Sequence, residues 1–255
     1  MKSRLELIEK KLDGLLCEVG ARPQILIDAM RYAVGSGGKR IRPLICLAAA
    51  EAVGGKCEDA LCAACAVEFL HNYTLIHDDL PSMDNDRVRR GAPSVWVKFG
   101  EANAILAGDA LQALAFCAAA KSPRNAAGII ATLGEKGVGV VMGQVEDICR
   151  PGGEAGDFIY LHKTADLFVA SAVCGGYAAG ASAAEISALN DFGEALGLAF
   201  QYEDDLLDGD GLCAADETAR RAEECTSKAL SALTRLSGDT SPLEKIAASL
   251  LGRSR

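Results

Sequence analysis

An apolar repeat at helical spacing runs along almost the whole chain, and the alternation expected of strands interrupts it nowhere. Leu5, Ile8, Leu12, Leu15 and Leu16 fall on one stripe of a first helix. Gly35-Ser36-Gly37-Gly38 breaks the pattern, and Lys39, Arg40, Arg42 and Pro43 follow it. Further helices are expected over 44–53, 57–78, 101–121, 125–134, 136–149, 157–180, 184–208, 214–236 and 242–252, with a break or kink at Pro81. Half of the residues are hydrophobic but only 5% are aromatic. The apolar content is largely alanine and leucine, which favour helices. At 255 residues the chain can bury a sizeable core. It shows no fixed-period repeat and no Pro- or Ser-rich linker. The expectation is one all-α domain over residues 1–255, a bundle of many helices around a central cavity, wider than a four-helix arrangement.

Charge and cysteine content exclude several classes. With 26 Lys+Arg against 35 Asp+Glu the formal charge is −9, which argues against a nucleic-acid partner. Taken alone, it also argues against an acidic substrate. The chain holds 10 cysteines but is too long and core-rich for a secreted disulfide scaffold. Cys62 and Cys65 form a C-x-x-C with no second pair at zinc spacing, so they read as small buried thiols on a helix. Met1 to Glu6 shows no signal-peptide pattern, so a reducing cytoplasm is expected. Leu167 to Ala184 carries no charge, but its glycines, serines and alanines mark a tightly packed core helix rather than a membrane span.

Two carboxylate clusters carry the chemistry. The first is His77-Asp78-Asp79-Leu80-Pro81-Ser82-Met83-Asp84-Asn85-Asp86. Adjacent carboxylates repel, so their crowding calls for cations or open water. On a continuous helix Asp78 and Asp84 would point apart, but a break at Pro81 lets the chain turn Asp84 back beside Asp78. The second is Gln201-Tyr202-Glu203-Asp204-Asp205-Leu206-Leu207-Asp208. There Asp204 and Asp208 lie one helical turn apart among apolar neighbours. Carboxylate oxygens suit Mg²⁺, which shares its shell with water and substrate phosphates. Arg89 and Arg90, the Lys39–Arg42 turn, His71 (two turns before Asp78) and Lys163-Thr164 supply complementary groups. Together they describe a pocket for a polyphosphorylated ligand.

At these residues the sequence resembles the trans-isoprenyl diphosphate synthases, the polyprenyl synthetase family, in its bacterial farnesyl and geranylgeranyl diphosphate synthase branch. The likeness covers roughly residues 30–208. It rests on Gly37-Gly38-Lys39-Arg40-Ile41-Arg42-Pro43, on Leu75 through Asp84 and on to Arg89-Arg90-Gly91, and on Phe99-Gly100-Glu101 through Leu111. Gly143-Gln144, His162-Lys163-Thr164 and Phe200-Gln201 through Asp208 complete it. The resemblance implies an all-helical homodimer that joins isopentenyl diphosphate to an allylic diphosphate with Mg²⁺, without stable membrane insertion. It implies that Asp78, Asp79, Asp84, Asp204, Asp205 and Asp208 hold the metal. Lys39, Arg42, His71 and Arg90 would hold isopentenyl diphosphate, and Arg89 and Lys163 the allylic diphosphate. Thr164 and Gln201 would face the developing carbocation. Tyr73 and Thr74, before Asp78, would limit product length; the aromatic Tyr73 with the two-residue insertion in the aspartate motif resembles farnesyl (C15) enzymes, with geranylgeranyl (C20) diphosphate as the alternative product.

One departure stands out. Relatives carry a lysine-bearing loop after the second motif, whereas here Gly209 to Glu217 carries no lysine, and Arg220, Arg221 and Lys228 do not align with it. Asn85 also stands where many relatives have Asp. Two rivals to an active chain-elongating synthase follow: a prenyl-diphosphate-binding subunit with weak or no turnover, and a terpene synthase. Lys39, Arg42 and Arg90 oppose the terpene synthase.

Overall fold

The computed structural model describes residues 2–149, 156–209 and 214–251; the side chains of Lys2, Asp208 and Leu251 lie outside that description. Helix α1 (Lys2–Cys17) buries Ile8, Leu12, Leu15 and Leu16, the stripe read from the sequence. Then come α2 (Gln24–Gly35), α3 (Ile41–Ala52), a 3₁₀ turn at Cys57–Ala60 and α4 (Leu61–Asp78). In α4 every residue from Ala63 to Leu70 is buried. Small alanines let neighbouring helices approach it on all sides, so it carries no single apolar stripe.

A two-stranded ribbon, β1 (Val88–Arg89) and β2 (Ala92–Pro93), follows and corrects the expectation of a chain without strands. Its turn residues, Arg90 and Gly91, both have positive φ (54° and 78°). That is the backbone twist a two-residue hairpin turn requires. Helices α5 (Val95–Phe99), α6 (Glu101–Ala120) and α7 (Ala126–Cys149) come next. Helix α7 is continuous where the sequence suggested a break near Gly134. A mid-helix glycine costs only about 1 kcal/mol, which the packing of α7 against α9 and α6 outweighs.

The short α8 (Gly156–Ile159) leads through a π-helical turn, Tyr160–Ala165, into α9 (Asp166–Ala179). Residues Asp166 to Gly176 are all buried, so the uncharged stretch is a core helix. Helix α10 (Ala183–Asp208) starts from a capping box between Ser182 and Glu185, and Gly209 closes it in the left-handed conformation. Helices α11 (Ala215–Leu233) and α12 (Ser241–Leu251) pack back on α10 and α3. One large core joins residues of α1–α4, α6, α7 and α9–α12 and includes Phe69, Phe168 and Phe192. Cys65 is buried and Cys62 half-buried, and the nine cysteines among the described residues are all free thiols.

Candidate active site

Proline 81 shapes the first cluster. The α4 helix ends at Asp78, and the Asp79 N–H still bonds the Leu75 carbonyl at 3.2 Å. Beyond it the chain turns, Asn85 adopts φ +55°, and the Asp84 N–H donates to the Asp78 carbonyl at 2.9 Å. The sequence-predicted return of Asp84 to Asp78 is therefore present. Burial first, then Asp84 and Asp79, push the Asp78 carboxyl up to about 6, against the pull of Lys163 and Arg89.

The two adjacent aspartates have different surroundings. Asp79 is buried, and its Oδ1 accepts from Arg89 at 2.8 and 2.5 Å. Burial raises its carboxyl and Arg89 draws it back. The hairpin sends its two arginines in opposite directions. Arg89 goes to Asp79, and Arg90 packs on Gly38 and donates to the Gly37 carbonyl.

Behind Arg90 lies a pocket of about 500 Å³ lined by Lys39, Arg40, Arg42, Glu68, His71 and Arg90, among others. Burial pulls Arg42 down to about 10, and Arg42 reaches His71 Nε2 at 3.3 Å. Burial, then the neighbouring Arg42 and Arg90, hold His71 well below the ordinary histidine range. A neutral His71 whose Nε2 accepts from Arg42 carries its proton on Nδ1. That Nδ1 and Arg42 Nε are both buried without a partner. Two buried donors that no protein group answers, on residues lining a cationic pocket, leave hydrogen-bonding capacity that the protein itself does not use.

The second cluster ends α10 as the first ends α4. Acidic groups at a helix C-terminus oppose the helix dipole, so neither position is chosen for stability. The two ends are linked through the π-helical turn, a feature frequent at functional sites. Lys163 acts on Asp78 and pairs with Asp147 at 2.5 Å. Thr164 donates to Gln201 Oε1 at 2.8 Å, and Gln201 Nε2 donates to Asp205 Oδ1 at 3.0 Å. Tyr160 donates to Asp205 Oδ2 at 2.5 Å. Asp205 is buried like Asp79, whereas Asp204 is half-buried. Any side chain at Gly143 would strike the backbone of Lys163, and one at Gly197 that of Ala165, so both glycines let helices seat the turn.

Tyr160 and Asp147 escaped the sequence reading, and Gln144 entered it only as part of the Gly143-Gln144 motif, with no role. Gln144 is buried with neither amide atom partnered, and its place one turn before Asp147 on α7 was the available signal. Tyr73 is buried edge-on against His77, and Thr74 donates to the His71 carbonyl at 2.8 Å. Arg220 and Arg221 are engaged elsewhere, with Glu217 and Glu224 and with Glu217, Asp157 and Tyr202 respectively. Asp208, expected in the second cluster, has its side chain outside the described residues.

A sequence profile described as Polyprenyl synthetase matches residues 23–234, the segment that holds both clusters and the cationic pocket. The chain belongs to the polyprenyl synthetase family. Polyprenyl synthetases are metal-dependent prenyltransferases of all-α fold. Over 213 residues the chain is 44% identical to the chloroplastic geranylgeranyl pyrophosphate synthase of Capsicum annuum. That match takes in 79% of this chain and 57% of the relative, so the chain spans little over half the length of that curated relative. The solved geranyltransferase of Legionella pneumophila superposes with a TM-score of 0.89 at 31% identity, covering 99% of this chain and 96% of that one. An FPP/GFPP synthase of Zymomonas mobilis gives 0.88 at 32%, covering 98% of each.

The donor set fits a hard cation. Among the described residues no three His, Cys, Asp or Glu side chains form a closed metal cage. Mg²⁺ does not ask for one, since it binds through one or two carboxylates plus water and phosphate. The raised Asp78 carboxyl marks negative charge that a cation would relieve.

Proposed function

We propose that this polyprenyl synthetase, acting as one domain over residues 1–255, is a Mg²⁺-dependent short-chain trans-prenyltransferase. It joins isopentenyl diphosphate to an allylic diphosphate, dimethylallyl or geranyl, and yields farnesyl diphosphate. One observation carries this reading: a cationic pocket with two unanswered donors, Arg42 Nε and His71 Nδ1, lies next to an acidic cluster that ends a helix. Two anionic substrates need two such places.

Lys39, Arg42, His71 and Arg90 bind isopentenyl diphosphate. Asp78, Asp84 and Asp204, with Asp208, would hold Mg²⁺, which when bound neutralises the diphosphate as it leaves. Asp79 and Asp205 act one step back, Asp79 orienting Arg89 and Asp205 orienting Gln201. Lys163 steadies the allylic diphosphate. Because Thr164 spends its proton on Gln201 Oε1, its oxygen lone pairs remain for the allylic cation. The allylic C–O bond breaks with its electron pair going to diphosphate. The isopentenyl double bond forms the new C–C bond, and the released diphosphate takes the departing proton.

Tyr73 favours a C15 product. The C20 alternative is favoured by the Capsicum annuum relative, which is named for geranylgeranyl pyrophosphate. A homodimer is supported by an exposed apolar stripe on α7, formed by Val138, Val141, Met142, Val145 and Ile148, beside Ile105 and Leu106 on α6. Helices α6 and α7 are long and apolar enough to cross a membrane, and burial of this stripe against a second copy accounts for that composition without one. The nine free thiols among the described residues fit a reducing cytoplasm.

The test is incubation of the purified protein with isopentenyl diphosphate, Mg²⁺ and dimethylallyl, geranyl or farnesyl diphosphate, reading product length. Asp204→Ala should lower kcat by about two or more orders of magnitude. Near-normal turnover in that variant would overturn the assignment. Binding without turnover by the wild type would favour the non-catalytic subunit, a reading supported by the engagement of Arg220 and Arg221 away from the site.

A further inference from the structure

The turn that presents the cationic pocket has an unusual backbone. Gly37, Gly38 and Arg40 have φ of +89°, +126° and +49°. Such a run makes no regular ladder of backbone hydrogen bonds, so side chains must hold it. Arg40 supplies the hold. It sits between Lys39 and Arg42 in sequence, yet its side chain is only 2% exposed. Its Nε and Nη2 donate to the two oxygens of Glu9 at 2.7 and 3.3 Å. Nη1 donates to Glu68 at 2.7 Å, and Nη2 also to the Val34 carbonyl at 2.5 Å. One guanidinium thus ties α1, the end of α2 and α4 to the turn.

Glu68 lines the pocket itself and acts on Arg42 and Arg90 directly. Glu9 does not line it, and it comes from α1, ahead of the segment that the family profile matches. Its contact with Arg40 is a two-point carboxylate–guanidinium pair, which fixes direction as well as distance.

We propose that Glu9 is a positioning residue: by clamping Arg40 it fixes the Gly37–Arg42 turn in the shape that offers Lys39 and Arg42 to isopentenyl diphosphate. Helix α1 is thereby a working part of that half of the site. The ligand named here rests on the proposed function; the clamp itself does not.

Charge alone predicts the opposite sign. Removing a carboxylate near a cationic pocket should strengthen anion binding, so a loss of affinity in Glu9→Gln isolates the positioning effect. The variant is compared with wild type by steady-state kinetics in both substrates. The KM for isopentenyl diphosphate should rise about tenfold or more, with kcat and the KM for the allylic diphosphate within about twofold, the pattern of lost uniform binding. Amide hydrogen exchange should accelerate over residues 36–41 and stay unchanged in α9. An unchanged or lowered KM, exchange at 36–41 equal to wild type, or a rise in both KM values with faster exchange throughout would each overturn the proposal. Should wild type form no product, the proposed function fails. The clamp is then read from exchange and from affinity for inorganic diphosphate, which Glu9→Gln must weaken.

Discussion

Asp78→Asn should make the metal-free protein more stable while destroying its proposed activity. The Asp78 carboxyl moves from an ordinary 3.8 to about 6, chiefly through burial. At about 1.4 kcal/mol per pKa unit, the ionised group costs the fold up to about 3 kcal/mol. Asp78 is half-buried, and screening by water brings that to about 1–2 kcal/mol. Asparagine keeps the shape and drops the charge. For a chain of this size the gain corresponds to a Tm rise of about 2–8 °C. The sign follows from linkage. The folded state holds the proton more tightly than the unfolded chain, so wild-type stability falls as pH rises through the window from 3.8 to about 6. The advantage of Asp78→Asn should therefore be full near pH ~7.5 and shrink to nothing by pH ~4. Thermal unfolding in chelator at several pH values measures this. Adding Mg²⁺ should then raise the Tm of wild type more than that of the variant. A variant no more stable than wild type at pH ~7.5, or an advantage independent of pH, would refute the electrostatic account of the site.

Three further outcomes are expected. Tyr160→Phe removes the donor at 2.5 Å from Asp205 and leaves a buried acceptor short of a partner, at a cost of about 1–3 kcal/mol. It should lower kcat while leaving the KM for isopentenyl diphosphate near wild type, and an unaltered kcat would remove Tyr160 from the positioning of Gln201. Tyr73→Ala should lengthen the product beyond that of wild type, and products of unchanged length would show that Tyr73 is not the limit to growth. Val145→Asp, in the exposed stripe of α7, should yield a folded monomer by sedimentation, and a dimer unaffected by it would place the contact elsewhere.

The fold was legible because an alanine- and leucine-rich helical repeat leaves little else to build. The expected and observed ends of α4 and α10 agree at Asp78 and Asp208. The return of Asp84 was legible because proline has one dominant effect on a helix. The β1–β2 hairpin was not, since two residues per strand give no alternation to see. Neither was the π-helical turn: α9 beyond it is buried all round, so no apolar stripe displays the shift in phase that the extra residue makes. Tyr160 was invisible because a lone aromatic in an apolar stretch has no partner in sequence; its partner, Asp205, is 45 residues away. Arg40 stands with Lys39 and Arg42 in the basic turn of the sequence, and only the distances to Glu9, Glu68 and Val34 show that it is spent inside.

The carboxylates of the site are not equivalent, and the difference explains how so acidic a chain can serve anionic ligands. Asp79 is answered internally by Arg89, and Asp205 by Tyr160 and Gln201. Asp78 is left with a raised carboxyl that a bound cation would relieve. A double-mutant cycle tests the difference at the first pair. Asp79 and Arg89 are in direct contact at 2.5 Å, with Asp79 only 3% exposed and Arg89 30%. Burial works against Asp79 as it does against Asp78, so Asp79→Asn alone mixes relief of a buried charge with the stranding of Arg89 and has no clean sign. The cycle cancels the first effect and keeps the second. Asp79→Asn with Arg89→Gln should show a coupling of about 1–3 kcal/mol in urea unfolding. Asp78→Asn with Arg89→Gln should show less than about 0.5 kcal/mol, since Arg89 reaches Asp78 only through its field. Equal couplings would mean that Arg89 serves both carboxylates alike, and the two aspartates would then share one role.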